Sequence, residues 1–277
     1  MREKYIEKVP EWYKDNNKYE LVLSNDIDSL VSCSIIPKNW EIEYFYDFNN
    51  IFVSDELKDR KNKQDTRVWC DVALIKKEKC FDNHISRING NDYQNPLCIN
   101  PNLLRDVSNL NYKQKYAGST ALLVWSLYNI PLPKTEEGKM LLLAIDTTFK
   151  GYYYNEYRQQ NKTYLCDVLG FEELYEVQER HSKNEFYEII KKYNLGCSIL
   201  INKHTRRLET PMNLDVIGEL LGISLKLPDR EFNHLKSFAQ KTDVIDWNTE
   251  ETIKDMFKGV VTLAFTYRNS VKYSVAY

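Results

Sequence analysis

Short apolar runs that end on polar, mostly acidic residues recur through the first half of the chain, and they constrain its architecture more than any other feature. Tyr19 to Leu23 runs into Ser24-Asn25-Asp26-Ile27-Asp28-Ser29, Arg67 to Leu74 carries Asp71, and Lys79-Cys80-Phe81 runs into Asp82-Asn83-His84. The first run reads as a strand followed by a polar turn and a short buried helix over Leu30 to Ile36, the opening of a βαβ unit. Trp40 to Phe48 alternates in the manner of a strand. Repetition of this pattern predicts an α/β fold with a parallel β-sheet flanked by helices. In such sheets ligands lie beyond the carboxyl ends of the strands, where these polar residues fall.

Ala117 to Leu127 and Lys139 to Ile145 read as buried helices, the second running into Asp146-Thr147-Thr148. Asp55 to Asp65 is charged and reads as a loop or a solvated helix face. Gly151 to Arg158 is aromatic and polar, and Glu172 to Lys192 reads as one or two helices with exposed charge. The predicted organisation is a catalytic domain over 1–155, a helical linker over 156–194 and a smaller C-terminal α+β accessory or substrate-binding domain over 195–277. The last of these ends in a hairpin, Val260 to Phe265 and Val271 to Tyr277, around Arg268-Asn269-Ser270.

The chain has 277 residues with 38 basic and 40 acidic side chains, a net charge of −2. That balance argues against binding nucleic acid by bulk electrostatics, and leaves room for a local basic channel or a small phosphorylated substrate. The six cysteines, Cys33, Cys70, Cys80, Cys98, Cys166 and Cys197, form no CxxC pair; several sit in apolar runs, as reduced buried thiols do. Met1 to Asn17 is charged and lacks an apolar segment, so no signal peptide is expected. No stretch approaches a membrane span. A cytoplasmic protein without membrane partners is the expectation, and a homo-oligomer is compatible with it.

Asp26, Asp28, Asp71, Asp82 with His84, and Asp146 all stand at the ends of buried runs. Each alone has a structural explanation: an Asp-x-Asp turn caps helices, and Asp146-Thr147-Thr148 can cap one too. Together, several carboxylates and an imidazole converging on one cleft would repel one another unless a cation neutralised them. An oxygen-rich set with one nitrogen suits Mn²⁺ or Mg²⁺ better than Zn²⁺. Two such ions bridged by Asp71 would polarise a phosphate ester.

The ordered set resembles the DHH phosphoesterases. Asp26-Ile27-Asp28-Ser29 resembles their first motif, Asp71 the second, Asp82-Asn83-His84 the triplet that names the family, and Asn100-Pro101-Asn102 the Asn-Pro step after it. Tyr116-Ala117-Gly118-Ser119-Thr120-Ala121 is similar to the family's Ala-Gly helix start, and Ala144-Ile145-Asp146-Thr147 to its fourth motif. The resemblance covers Tyr19 to Phe149 and is nearest the RecJ-type and oligonucleotide-phosphodiesterase branch. It implies Asp26, Asp28, Asp71, His84 and Asp146 as metal ligands, with Asp71 bridging, and His84, Asn83 and Asp71 at the reacting phosphate.

Two departures bear on function. Asn83 replaces the first His of the triplet, an amide in place of an imidazole ligand. The Gly-rich, His-bearing loop of the family's substrate domain has no counterpart among the nine glycines. Phosphate contacts in that half would fall to Arg206 and Arg207, within Lys203-His204-Thr205-Arg206-Arg207, and to Arg268, since Arg grips phosphate bidentately; a solvated basic stretch is the plainer reading of the first cluster. The resemblance implies a metal-dependent phosphodiesterase acting on single-stranded nucleic acid or short oligonucleotides. A cyclic or linear dinucleotide is the close variant, and a weakened enzyme fold that binds a nucleotide or a protein is the alternative.

Overall fold

The computed structural model describes residues 1–57, 66–246 and 249–276. Eleven strands are present among them: β1 Glu20–Ser24, β2 Glu41–Tyr46, β3 Asn50–Ser54, β4 Arg67–Cys70, β5 Lys79–Phe81, β6 Cys98–Ile99, β7 Leu200–Ile201, β8 Leu208–Glu209, β9 Phe232–Val244, β10 Val260–Tyr267 and β11 Ser270–Ala276. All but β7 and β8, which pair as a small ribbon, join one sheet in the order β10-β11-β9-β3-β2-β1-β4-β5-β6.

The fold is α/β, but the sheet is mixed. β1 pairs in parallel with β2 and β4, β4 with β5, and β5 with β6. β2–β3, β3–β9, β9–β11 and β10–β11 are antiparallel. The connections explain the division. The Ile27–Ile35 helix carries the chain from β1 over to β2, whereas β2–β3 and β10–β11 are joined by turns too short for anything but a hairpin.

Strand alternation sorts the side chains into two cores. Leu21 and Leu23 of β1, with Phe45, Val68, Cys70 and Phe81, pack against the helices, while Val22, Tyr44, Tyr46, Trp69 and Cys80 point to the other face and meet Leu74 and Phe238. The Thr120–Leu127 helix is buried at every position, as a helix apolar on all sides requires, and the hydroxyls of Thr120 and Ser126 find internal acceptors. On the opposite face the sheet curls back and its own last strands provide the cover. Leu263 N–H donates to Ala73 O at 2.9 Å, Ile75 N–H to Val261 O at 3.1 Å and Phe265 N–H to Ile85 O at 2.9 Å, so β10 is tied to the segments that follow β4 and β5.

The helices expected near 117–127 and 139–145 occupy Thr120–Leu127 and Glu136–Ala144, and 172–192 divides into Glu172–Arg180 and Lys183–Lys192, separated by a capping box at Ser182. Between 156 and 194 the chain is largely helical, with a π-helical stretch, Thr163–Leu169, closed by Gly170 at φ 79°. The C-terminal strands β9–β11 extend the same sheet as β1–β6. Of the charged segment 55–65, residues 58–65 lie outside the described residues. All six cysteines are free thiols, and all but Cys197 are buried. No helix among the described residues is long and apolar enough to cross a membrane.

Candidate metal centre and its cleft

The ends of β1, β4 and β5 deliver the acids to one place. Asp26 caps the Ile27–Ile35 helix, its Oδ1 accepting from Ser29 N–H at 3.0 Å, so the structural role open to an Asp-x-Asp turn is real here. Asp28 is buried in the first turn of that helix and accepts from Thr120 N–H at 2.8 Å and Ala121 N–H at 2.6 Å. These are orphan donors at the start of the Thr120–Leu127 helix, where a carboxylate is favoured. The Thr120 hydroxyl donates to Asp71 Oδ1 at 2.8 Å, which links Asp28 and Asp71 through one residue.

The turn after β5 is held by asparagines. His84 Nδ1 pairs with Asp82 Oδ1 at 2.7 Å, which leaves Nε2 for a ligand. Asn100 Nδ2 donates to Asp82 Oδ2 at 2.9 Å and to His84 O at 2.8 Å, and Asn102 Nδ2 donates to Asn83 O at 2.7 Å. The Asn-Pro-Asn step is therefore a clamp on Asp82-Asn83-His84. Asn83 spends its amide hydrogens on Gly118 O at 2.7 Å and Asp146 Oδ2 at 2.9 Å. Two acceptors on one side fix the amide's orientation, and its buried Oδ1 has no hydrogen-bond partner.

Three of the eight left-handed non-glycine residues among the described ones fall here. Asp71, Asp146 and Thr147 are left-handed at φ 60°, 46° and 54°. This region is sparsely populated by non-glycine residues and especially unfavourable for a β-branched one, and such strain gathers where surrounding structure and function impose it.

The electrostatics are lopsided. Loss of solvation first, then Asp71, pushes the Asp26 carboxyl up to about 7. Burial and the charges of Asp71, Asp146 and Asp26 raise Asp28 well above the usual carboxylate range. Asp71 is raised to about 6 by burial and by Asp146 and Asp82, against the pull of His84. Asp146 is likewise pushed to about 6, by the dense protein around its carboxyl and by Asp26; its surface opens on the cleft, and water there moderates the effect. Burial alone would lower the His84 imidazole, but the charge and hydrogen bond of Asp82, with Asp71 and Asp146, carry it up to about 10. Asp71, Asp82 and His84 each offer a donor atom, all within 4.8 Å of one another, and could hold a metal ion. The unpartnered Asn83 oxygen and the excess of carboxylates fit a hard cation. A second acidic group, Glu41, Glu43 and Glu56, already has a cation: Arg230 bonds Glu43 at 2.6 Å and lies within 3.6 Å of Glu41 and 3.5 Å of Glu56.

Two lobes of one cleft open beside His84. The larger, about 590 Å³, runs past Asn83, Lys115, Asp146 and Tyr267; the smaller, about 430 Å³, runs past Asn25, Asp71, Gln240 and Ser274. His84, Thr266 and Lys272 border both. Arg206 and Arg207 are elsewhere, in the turn of the β7–β8 ribbon, ion-paired to Glu231 and Asp229, and they line neither lobe. Arg268 occupies the β10–β11 turn beside Tyr267. Lys115, Lys272, Tyr112, Tyr154 and Tyr157 carry no motif and are not legible in the sequence as cleft residues; Asn100 and Asn102 stand in one, but their action as a clamp shows only in the fold. No protein-family model, curated protein or solved structure matches the chain.

Proposed function

We propose that this protein is a phosphodiesterase dependent on a divalent metal, Mn²⁺ or Mg²⁺, which acts on single-stranded nucleic acid or short oligonucleotides, linear or cyclic dinucleotides included. The observation that carries the reading is the cluster of Asp26, Asp28, Asp71, Asp82, His84 and Asp146, of which Asp71, His84 and Asp146 line a cleft that Lys272 also borders. It accords with the ordered resemblance to the DHH phosphoesterases from Tyr19 to Phe149.

Asp71 and His84, with Asp26 and Asp146 beside them, would hold the metal, while Asp82, the third member of the close group, has both oxygens engaged by His84 and Asn100. Asp28 takes a smaller share, because each of its oxygens already accepts from a helix N–H. A bound divalent ion supplies charge neutralisation and Lewis acidity at a phosphate. Asp82 orients His84 and keeps its Nδ1 occupied. Asn83 turns a fixed carbonyl oxygen inward, where it accepts a hydrogen bond or meets a cation. Lys272, on the facing strand, meets the negative charge of a phosphate.

The test is cleavage of labelled single-stranded DNA and RNA, dinucleotides and cyclic dinucleotides with Mn²⁺, against Asp26→Ala/Asp28→Ala. Metal-dependent cleavage by the wild type alone supports the reading. Silence of folded, metal-loaded protein across the panel favours the second one, a nucleotide-binding protein on a weakened site, for which the prior engagement of Asp28 and Asn83 speaks.

A further inference from the structure

The larger lobe differs in chemistry from the acid centre it adjoins. Tyr154, Tyr157 and Tyr267 line it together with Lys115, Lys150 and Lys272. Most tyrosines of this chain are consumed in packing: Tyr116 against Tyr164, and Tyr152 against Tyr175. Among the described residues Tyr157 and Tyr267 pack against no other aromatic ring, and Tyr267 is 71% exposed. Two of the lysines lie over rings rather than beside anions: Lys115 over the Tyr112 ring at 4.5 Å and Lys150 over the Tyr187 ring at 5.8 Å. Lys115 is half-buried and its ammonium donates to the neutral hydroxyl of Tyr112 at 2.9 Å. Burial lowers its pKa while Asp146 pulls the other way. Among the described residues none of the three lysines has a carboxylate within ion-pair distance.

Rings with open faces and ammonium groups without anions, in a volume within the roughly 300–1,000 Å³ of a small-ligand site, define a ligand that is both flat and anionic. A nucleotide has both properties: its base stacks on an aromatic face, and its phosphate meets lysine. The smaller lobe also holds two aromatic rings, but Phe48 already packs on Tyr46 and Tyr273 on Phe257; the rest of its lining is mainly amides, hydroxyls and the acids Asp47 and Asp71. The cleft is asymmetric about His84.

We propose that the larger lobe is a base-stacking subsite for one nucleotide, with Tyr267 as its main platform and Lys115 and Lys150 as its phosphate contacts. This deepens the phosphodiesterase reading and rests on it for the position of the scissile bond: the stacked nucleotide lies on one side of that bond, and the other lobe receives what lies beyond it. The subsite takes one base and is indifferent to longer strand.

The probe is 2-aminopurine riboside 5′-monophosphate, which has no diester bond to cleave and whose fluorescence falls on stacking. Wild-type protein should quench it saturably. Tyr267→Ala should weaken binding about tenfold or more, the scale of one lost base–aromatic stack, and Tyr267→Phe should bind within about twofold of wild type because the ring, not the hydroxyl, is the platform. Ribose 5-phosphate, which lacks the base, should compete at least about tenfold less well than AMP. No saturable quenching, equal binding by Tyr267→Ala, or equal competition by ribose 5-phosphate would each overturn the subsite. Diester cleavage with Mn²⁺ is read separately. Cleavage without quenching sinks the subsite alone, and quenching without cleavage sinks the enzyme reading while the subsite stands.

Discussion

The two borders of the cleft, the ends of β1, β4 and β5 on one side and the β10–β11 hairpin on the other, were built by different rules. On the first border the chemistry is set in short strings at strand ends: Asp26-Ile27-Asp28, Asp71, Asp82-Asn83-His84. Each side chain is fixed by a backbone that can go nowhere else, through helix caps, asparagine clamps and left-handed turns. On the second, Thr262, Ala264, Thr266 and Lys272 reach the cleft because alternate positions of a strand share a face, and nothing in their order announces it. A metal site needs a dense, rigid cluster and so leaves a motif; a surface that recognises a substrate can be assembled from a strand's ordinary period.

The comparison breaks most readily at Asp71. Asp71→Ala should abolish metal binding by calorimetry and lower turnover on the order of a thousandfold, as loss of a principal electrostatic group does; an unchanged rate would move the chemistry off this border. Asp82→Asn keeps the shape but weakens the hold on His84, and metal affinity should fall about 10–100-fold, the usual cost of a lost supporting partner. Lys272→Met tests the facing border: KM should rise about tenfold while metal affinity stays the same, as for one lost charge-assisted contact.

Asn83→His restores the imidazole of the family pattern. A single ring N–H cannot serve both Gly118 O and Asp146 Oδ2, so the expected result is no gain in rate and a loss of about 1–3 kcal/mol in unfolding free energy, read by urea denaturation. Stability against pH sharpens the same border. Asp26 at about 7 and Asp71 and Asp146 at about 6 are raised above their unfolded values, so the folded state binds the extra protons. Chelated protein is then favoured below about pH 4, and that contribution falls as pH climbs through 6 to 7. A divalent ion should flatten the slope, and an unchanged slope would mean that it binds elsewhere. Smallest of all, Arg206→Ala/Arg207→Ala should change turnover less than about twofold, since neither residue lines the cleft and exposed ion pairs of this kind are worth only about 0–1 kcal/mol of stability.

Legibility in the sequence followed the same division. The strand ends, the helix after Asp26 and the hairpin around Arg268-Asn269 could be read because apolar runs and turn residues are local signals. The mixed sheet could not, because β9 finds β3 across most of the chain's length, and pairing at that separation depends on tertiary packing. Arg206 and Arg207 looked suited to phosphate by composition alone; their partners Glu231 and Asp229 lie more than twenty residues downstream, beyond any local pattern. Lys272 looked like an unremarkable strand lysine until β11 was seen to curl toward His84.

The left-handed residues at 71 and 146 also bear on how this lineage can change. Those backbone positions are easiest for glycine, with Asp and Asn the next most tolerant, so a copy freed from its task gains local ease by replacing both aspartates with glycine and loses nothing it still uses. Gly at both positions in a descendant would mark a gene that has kept the scaffold and given up the reaction. Aspartate retained at both, against that conformational preference, would mark one still under selection for what the carboxylates do.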